Sequence, residues 1–407
     1  MIARMLALAA VAASSVSGLT AQQGWIPQSS GAGATNLSSV HFSDALIGTV
    51  VGAAGTILHT IDGGATWTTQ TSGTTNDLLS VSFASAAVGT AVGAGGTIVT
   101  TTNGGSLWSL QTSGTTQSLL GIAFLDAVTA IAVGDAGTIL RTSNAGSEWT
   151  GVTSGTDLFL NEVSFSDATT GAAVGQSGTI LTTSDGGASW TARTSGTTRT
   201  LIGVSMTDAG VGTAVGVNGT IVRTIDAGVV WTPQNSGSPQ VLIGVSFSGG
   251  DHGAAVGSGG TILATVNGGS TWTSQESGTA NSLNAVWFTD AANGTAVGAA
   301  GTVLRTSGGV SSVGDRASSW HESLVAVVHP NPASTQARIG FTLAATGLVH
   351  IDLLDALGAT VAVVTHRVMD SGTHAVTLDV EHLPSGLYHC AVRQGNTSAT
   401  VPIAVVR

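Results

Sequence analysis

The chain has 407 residues, of which 58 are Gly and only 8% are charged; its 11 basic residues are all Arg, and 22 acids leave a net charge of −11. Such a composition disfavours helix interiors and suits strands and turns, and the lack of clustered positive charge excludes a phosphate-gripping nucleic-acid binder. A single cysteine, Cys390, excludes an internal disulfide framework and reads as a small buried hydrophobe.

The first residues, MIARMLALAAVAASSVSGLTAQQ, place Arg4 before an apolar run and small residues up to Ala21. That pattern is a secretory signal peptide over 1–21 with cleavage after Ala21. The apolar run is too short to span a bilayer and no later stretch reaches about 18 apolar residues, so no transmembrane segment is expected.

From residue 22 to 309 the text repeats. Thr56, Thr97, Thr138, Thr179, Thr220, Thr261 and Thr302 recur every 41 residues in the frame VGxxGT[IV], seven times without an insertion. A Trp followed by Ser-Gly begins at Trp25 and recurs to Trp272, and Lxx[VI]x[FM] runs from Leu37 to Leu283. Each unit reads as four short strands; in the second these are 78–83, 89–93, 97–101 and 107–111, separated by turn residues. So small a sheet cannot bury its apolar face alone, and four strands per repeat of about 40 residues is the spacing of a propeller blade. The expected fold is therefore all-β, a seven-bladed β-propeller. The chain enters on a Trp strand and the seventh unit ends at Thr306 without one, so Trp25 to Gln28 is expected to supply the last blade's fourth strand.

Between the third and fourth strands, TIDGGATW around Asp62 recurs at Asn103, Asn144, Asp185, Asp226 and Asn267. The pattern resembles the Asp-box of bacterial neuraminidase repeats. Asp and Asn interchange because either side-chain oxygen accepts from the turn's own N–H groups while Gly takes the positive φ, so these residues are read as structural. A second acid set, Asp44, Asp126, Asp167, Asp208 and Asp290, is replaced by Ser85 and Gly249 in two blades and reads as turn-forming. Sialidases share the Asp-box, and in that family a Tyr nucleophile and an Arg triad grip the sugar. The only Tyr here, Tyr388, lies outside the repeats, and Arg141, Arg223 and Arg305 stand in alternate blades. No HExxH, Gly-x-Ser-x-Gly, P-loop or EF-hand sequence occurs, and His41, His59 and His252 fall in different turns and strands. Neither a catalytic residue, a metal nor a cofactor is expected.

The combination of VGxxGT[IV], TxDGGxxW and WxxQxSGT from Trp25 to Thr306 resembles the photosystem II stability and assembly factor propellers. That likeness implies the fold, and as one functional alternative an assembly factor for a membrane complex, although few Arg are present to match the Arg-rich surface of that family.

Residues 310–324 read as a linker. From 325 to 407 the chain carries PNPAS, DALG and LPSGLY in order, with apolar alternation at Val349, Ile351, Leu353 and at Tyr388, Cys390, Val392 that indicates a small immunoglobulin-like β-sandwich. These motifs resemble the type A sorting domain of the type IX secretion system. The resemblance implies the type IX machinery as a partner and export through the periplasm to the cell surface or medium.

The residues that break the repeat are the remaining candidates for ligand binding. On the face made by the Ser-Gly-Thr and Gly-x-x-Gly turns they are Asp135, Asp157, Phe159, Gln176, Arg199 and Asn218. The expected function is a monomeric, secreted, non-catalytic scaffold that binds a protein or glycan through that face. The alternative is an extracellular glycoside hydrolase, sialidase-like or glucanase-like, using acids such as Asp135 and Asp157.

Overall fold

In the computed structural model, residues 24–207, 210–306, 326–329, 331–343, 346–355, 360–394 and 397–406 are described. The expected signal peptide with its cleavage residue Ala21, the expected 310–324 linker and Asp208 lie outside them. The chain divides into two compact units, 1–313 and 314–407.

The first unit is built from seven four-stranded antiparallel sheets. The innermost strands are Leu37–Phe42, Leu78–Phe83, Leu119–Phe124, Leu160–Phe165, Leu201–Thr207, Leu242–Phe247 and Leu283–Phe288. Each inner strand packs on the next, and the first also packs on the seventh, so the sheets close into a ring of blades. Val and Leu side chains drive this arrangement, because every cluster of buried apolar residues bridges two blades. Val51 and Ile57 of blade 1, for example, pack with Leu78, Val81, Val99 and Trp108 of blade 2. The second strands, such as Gly48–Gly52 and Gly89–Gly93, are buried along their whole length, which suits their Gly, Ala and Val content.

Closure follows the register of the other blades. Ile26–Gln28 pairs antiparallel with Val303–Thr306, Ile26 opposite Arg305, as Thr68 stands opposite His59 in blade 1. Trp25 meets Phe288 edge-on at 6.1 Å, the geometry of Phe42–Trp67 and Phe83–Trp108 at 6.1 and 6.0 Å. The N-terminal strand is thus the missing fourth strand of blade 7.

Two details differ from the sequence expectation. In blade 2 the fourth strand begins at Ser109 instead of Leu107, because the Leu107 N–H is held by Asn103 Oδ1 at 2.9 Å and cannot join a ladder. Each Gly-x-x-Gly connection contains a single 3₁₀ turn, as at Ala53–Gly55, whose last Gly is at positive φ under the next turn. A Cβ on Gly55 would collide with the Thr74 carbonyl.

The second unit has a three-stranded sheet, Ala326–His329, Gln336–Leu343 and Gly372–Asp379, and a four-stranded one, Thr360–Met369, Gly347–Leu354, Gly386–Gln394 and Thr397–Val405. Ile339 and Phe341 of the first share one core with Val349, Ile351, Leu353, Cys390, Val392 and Ile403 of the second, so the unit is a β-sandwich. Cys390 is free and fully enclosed there, and burial pushes its thiol up to about 12.

Candidate functional site

The Asp-box turns are closed on themselves. Asp62 Oδ1 accepts from the Thr66 N–H at 2.9 Å and the Thr60 hydroxyl at 2.8 Å, and Oδ2 accepts from the Thr66 hydroxyl at 2.6 Å. Asp185 repeats this with Ser189 and Thr183, whereas Asp226 accepts from the Val230 N–H and the Thr224 hydroxyl through Oδ1. Asn103, Asn144 and Asn267 accept the same backbone N–H through Oδ1 at 2.9 to 3.0 Å. Hydroxyl and amide donors hold the Asp62 and Asp185 carboxyls down at about 2.

Asp44, Asp126, Asp167 and Asp290 each accept two backbone N–H groups of their own turn. Arg141 donates to the Gly186 carbonyl of blade 4 at 3.0 Å, Arg223 to Gly250 of blade 6 at 2.9 Å, and Arg305 lies against Gly63 of blade 1. These three guanidiniums fill three separate blade interfaces and do not meet.

The six aperiodic residues form an arc over blades 3 to 5. Asp135 opens the blade 3 turn, whose Gly137 is covered by the Thr156 carbonyl next to Asp157. The Gln176 N–H donates to the Phe159 carbonyl at 2.9 Å, which joins the loop to the blade 4 turn. Gly178 of that turn is covered by Thr197, and Arg199 and Asn218 line one shallow depression beyond it. Asp157, Gln176, Arg199 and Asn218 are exposed, Asp135 is half-buried, and Phe159 is 47% exposed. At the Phe159 position five of the other blades carry a polar residue (Asn36, Asp77, Ser118, Thr200 and Ser282) and blade 6 carries Val241; Asn36 Oδ1 accepts from the Ala300 N–H, and Asp77 Oδ1 from the Ala54 N–H. Asn218 has φ 53° at a repeat position where Ala54, Ala136, Ser177 and Ala300 are also left-handed, so its backbone there is a fold requirement.

A feature absent from the sequence reading lies on the ring axis. A cavity of about 240 Å³ is lined by all seven inner strands. Serines facing it accept inner-strand N–H groups of the following blade: Phe124 donates to Ser82 Oγ at 3.1 Å, Met206 to Ser164 at 2.9 Å and Phe288 to Ser246 at 3.2 Å. At the third position of these strands stand Ser39, Ser80, Gly121, Glu162, Gly203, Gly244 and Ala285. Glu162 therefore puts a carboxylate where the other blades carry a small side chain. Its Oε1 accepts the Val163 N–H at 3.1 Å and occupies the space a Cβ on Gly121 would need. The carboxyl touches the channel space yet has protein on all sides, and desolvation pushes it up to about 8. His41 stacks on Trp287 at 4.1 Å, and burial pushes its imidazole down to about 4. The break in periodicity at 162 was the available signal for this residue. No cluster of three or more His, Cys, Asp or Glu occurs among the described residues, and no helix among them is long and apolar enough to cross a membrane.

Comparison with known proteins agrees with this architecture. Residues 20–157 match the family described as photosynthesis system II assembly factor YCF48, and residues 327–406 match the secretion system C-terminal sorting domain. Among solved structures, YCF48 bound to D1 peptide is similar with a TM-score of 0.60 at 22% identity, covering 69% of this chain and 94% of that one. YCF48 from Cyanidioschyzon merolae gives 0.58 at 21%, covering 70% and 98%. A GH74 enzyme from Niastella koreensis gives 0.56 at 13%, covering 94% and 74%. No curated protein matches the chain. The sorting domain marks the protein for secretion to the cell surface or extracellular space. The chain is thus an exported β-propeller similar in fold to YCF48, with a stretch over residues 20–157 that matches the YCF48 family model and a secretion-system sorting domain at residues 327–406.

Proposed function

We propose that the protein is a non-catalytic binding scaffold whose Ser-Gly-Thr face takes an extended polypeptide, or a glycan chain of similar shape, across blades 3 to 5. One observation carries this reading. Phe159 stands exposed where the two adjacent repeats carry the polar Ser118 and Thr200, and Asp135, Asp157, Gln176 and Arg199 accompany it in an open arc. An exposed aromatic with an Arg on the same face is the composition that anchors binding surfaces. That a structurally similar propeller is solved with a bound peptide supports the polypeptide class. Asp62 and Asp185 accept from their own turns through both carboxylate oxygens and Asp226 through Oδ1, which supports reading the Asp-box acids as turn locks. The tail's partner is the type IX secretion machinery.

A binding screen of the secreted protein against surface proteins and glycans, repeated with Phe159→Ala and Arg199→Ala together, tests the assignment. Loss of capture in the double variant supports it, and full retention refutes it. The likeness to a GH74 enzyme keeps glycoside hydrolysis as the second reading; turnover of a sialoside or plant glucan that depends on Asp135 or Asp157 would replace the scaffold role. The third reading, assembly of a membrane complex, rests on the YCF48 likeness alone.

A further inference from the structure

We propose that the central channel is a second binding site, which takes a small organic cation of the amine or quaternary ammonium class between the Glu162 carboxylate and the His41–Trp287 stack.

The cavity of about 240 Å³ is large enough for one small organic molecule, since a water takes about 30 Å³ of liquid volume. Among the described residues that line it, Glu162 is the only acid and no Arg is present. The fold does not require an acid at this position, because Ser, Gly or Ala serves in the other six blades. Glu162 uses Oε1 on the Val163 N–H, and no other partner engages the carboxylate among the described residues. A carboxylate without a counter-charge in an enclosed space is costly when ionised, and a bound cation removes that cost.

Blade 4 faces blades 7 and 1 across a seven-membered ring, so Trp287 and His41 form the opposite wall. They lie two residues further along their strands, an axial offset of about 7 Å. The carboxylate and the aromatic pair therefore stand at two levels of one space, Glu162 with Ser39 and Ser80 at the first and His41 and Trp287 with Ser82, Ser164, Ser205 and Ser246 at the second, and a carboxylate facing aromatic rings suits an alkylammonium ion. A divalent metal fits poorly, because Ca²⁺ takes six to eight oxygen ligands and a single carboxylate is present here. His41, the other titratable group facing the space, is neutral across the working range because burial holds its imidazole near 4.

The test uses choline, whose charge does not titrate, and its neutral carbon isostere 3,3-dimethyl-1-butanol, with the full secreted chain in a calorimeter. Saturable choline binding is expected, with the isostere at least tenfold weaker. Affinity should fall roughly tenfold per pH unit below about 8, as Glu162 takes up its proton. Glu162→Gln keeps the side-chain volume and the acceptor for Val163 N–H, so the fold is retained while affinity drops at least tenfold and its pH dependence disappears. Trp287→Ser places at 287 the residue found there in four other blades and should weaken binding severalfold. A purely structural Glu162, filling the gap beside Gly121, predicts instead that choline does not bind. That result, equal binding of the isostere, or undiminished binding by Glu162→Gln would each overturn the proposal.

Discussion

The Thr101 hydroxyl donates to Asn103 Oδ1 at 3.0 Å and accepts the N–H groups of Asn103 and Gly105 at 3.3 and 2.9 Å. Thr101 is 1% exposed, so Thr101→Val keeps the shape but strands the buried Gly105 N–H. A cost of about 1–3 kcal/mol is expected in chemical unfolding, whereas Asn103→Asp should be close to neutral because Asp62 fills the same turn. The acidic turns add a pH dependence. Asp62 and Asp185 titrate near 2 in the folded chain, below the ordinary carboxyl value of 3.8. Their stabilisation is therefore complete above about pH 4 and is lost as the pH falls from 4 to 2. Melting temperature should decline across that window, and Asp62→Asn with Asp185→Asn should flatten the decline. At this level legibility was uneven. Turn acids were readable because seven aligned copies show what a position tolerates. Glu162 escaped because the frame Lxx[VI]x[FM] leaves its slot unspecified, and nothing in the string says that this slot faces a channel.

Strand positions were read closely, since Gly, Thr and Val alternate with turn residues at a fixed period. The shortened fourth strand was not legible, because a side-chain bond from Asn103 to the Leu107 backbone decides it. Closure was legible from phase alone. Trp25 is 5% exposed and packs with Leu283, Val286, Phe288 and Leu304. Trp25→Ala should cost about 3–5 kcal/mol. Deleting Trp25 to Ser30 should lower the melting temperature far more than trimming Gln22 and Gln23; equal effects would contradict the strand's role. In the C-terminal unit, period-two alternation located the buried face, with Val349, Ile351 and Leu353 all fully enclosed.

For the molecule as a whole, export depends on a part that takes no share in the ring. A stop codon at residue 325 should leave the propeller folded and retained in the periplasm, measured by fractionation and immunoblot; unchanged amounts at the surface or in the medium would contradict the sorting role. The ligand was not legible in the same way as the fold. A fold built from repeats is stated seven times in one chain, while a binding surface breaks the repeat and is stated once.

Ring closure by the N-terminal strand also bears on how the molecule comes apart. Ser30 Oγ bonds the Gly301 carbonyl at 2.8 Å across 271 positions of sequence, and the entropy of closing so long a loop grows only with the logarithm of its length. A stack of repeats with free ends frays from those ends, unit by unit. Here the first and last repeats are latched to each other, so no repeat is terminal. During synthesis the seventh blade stays incomplete until all seven units exist, and only then does the array lose its ends.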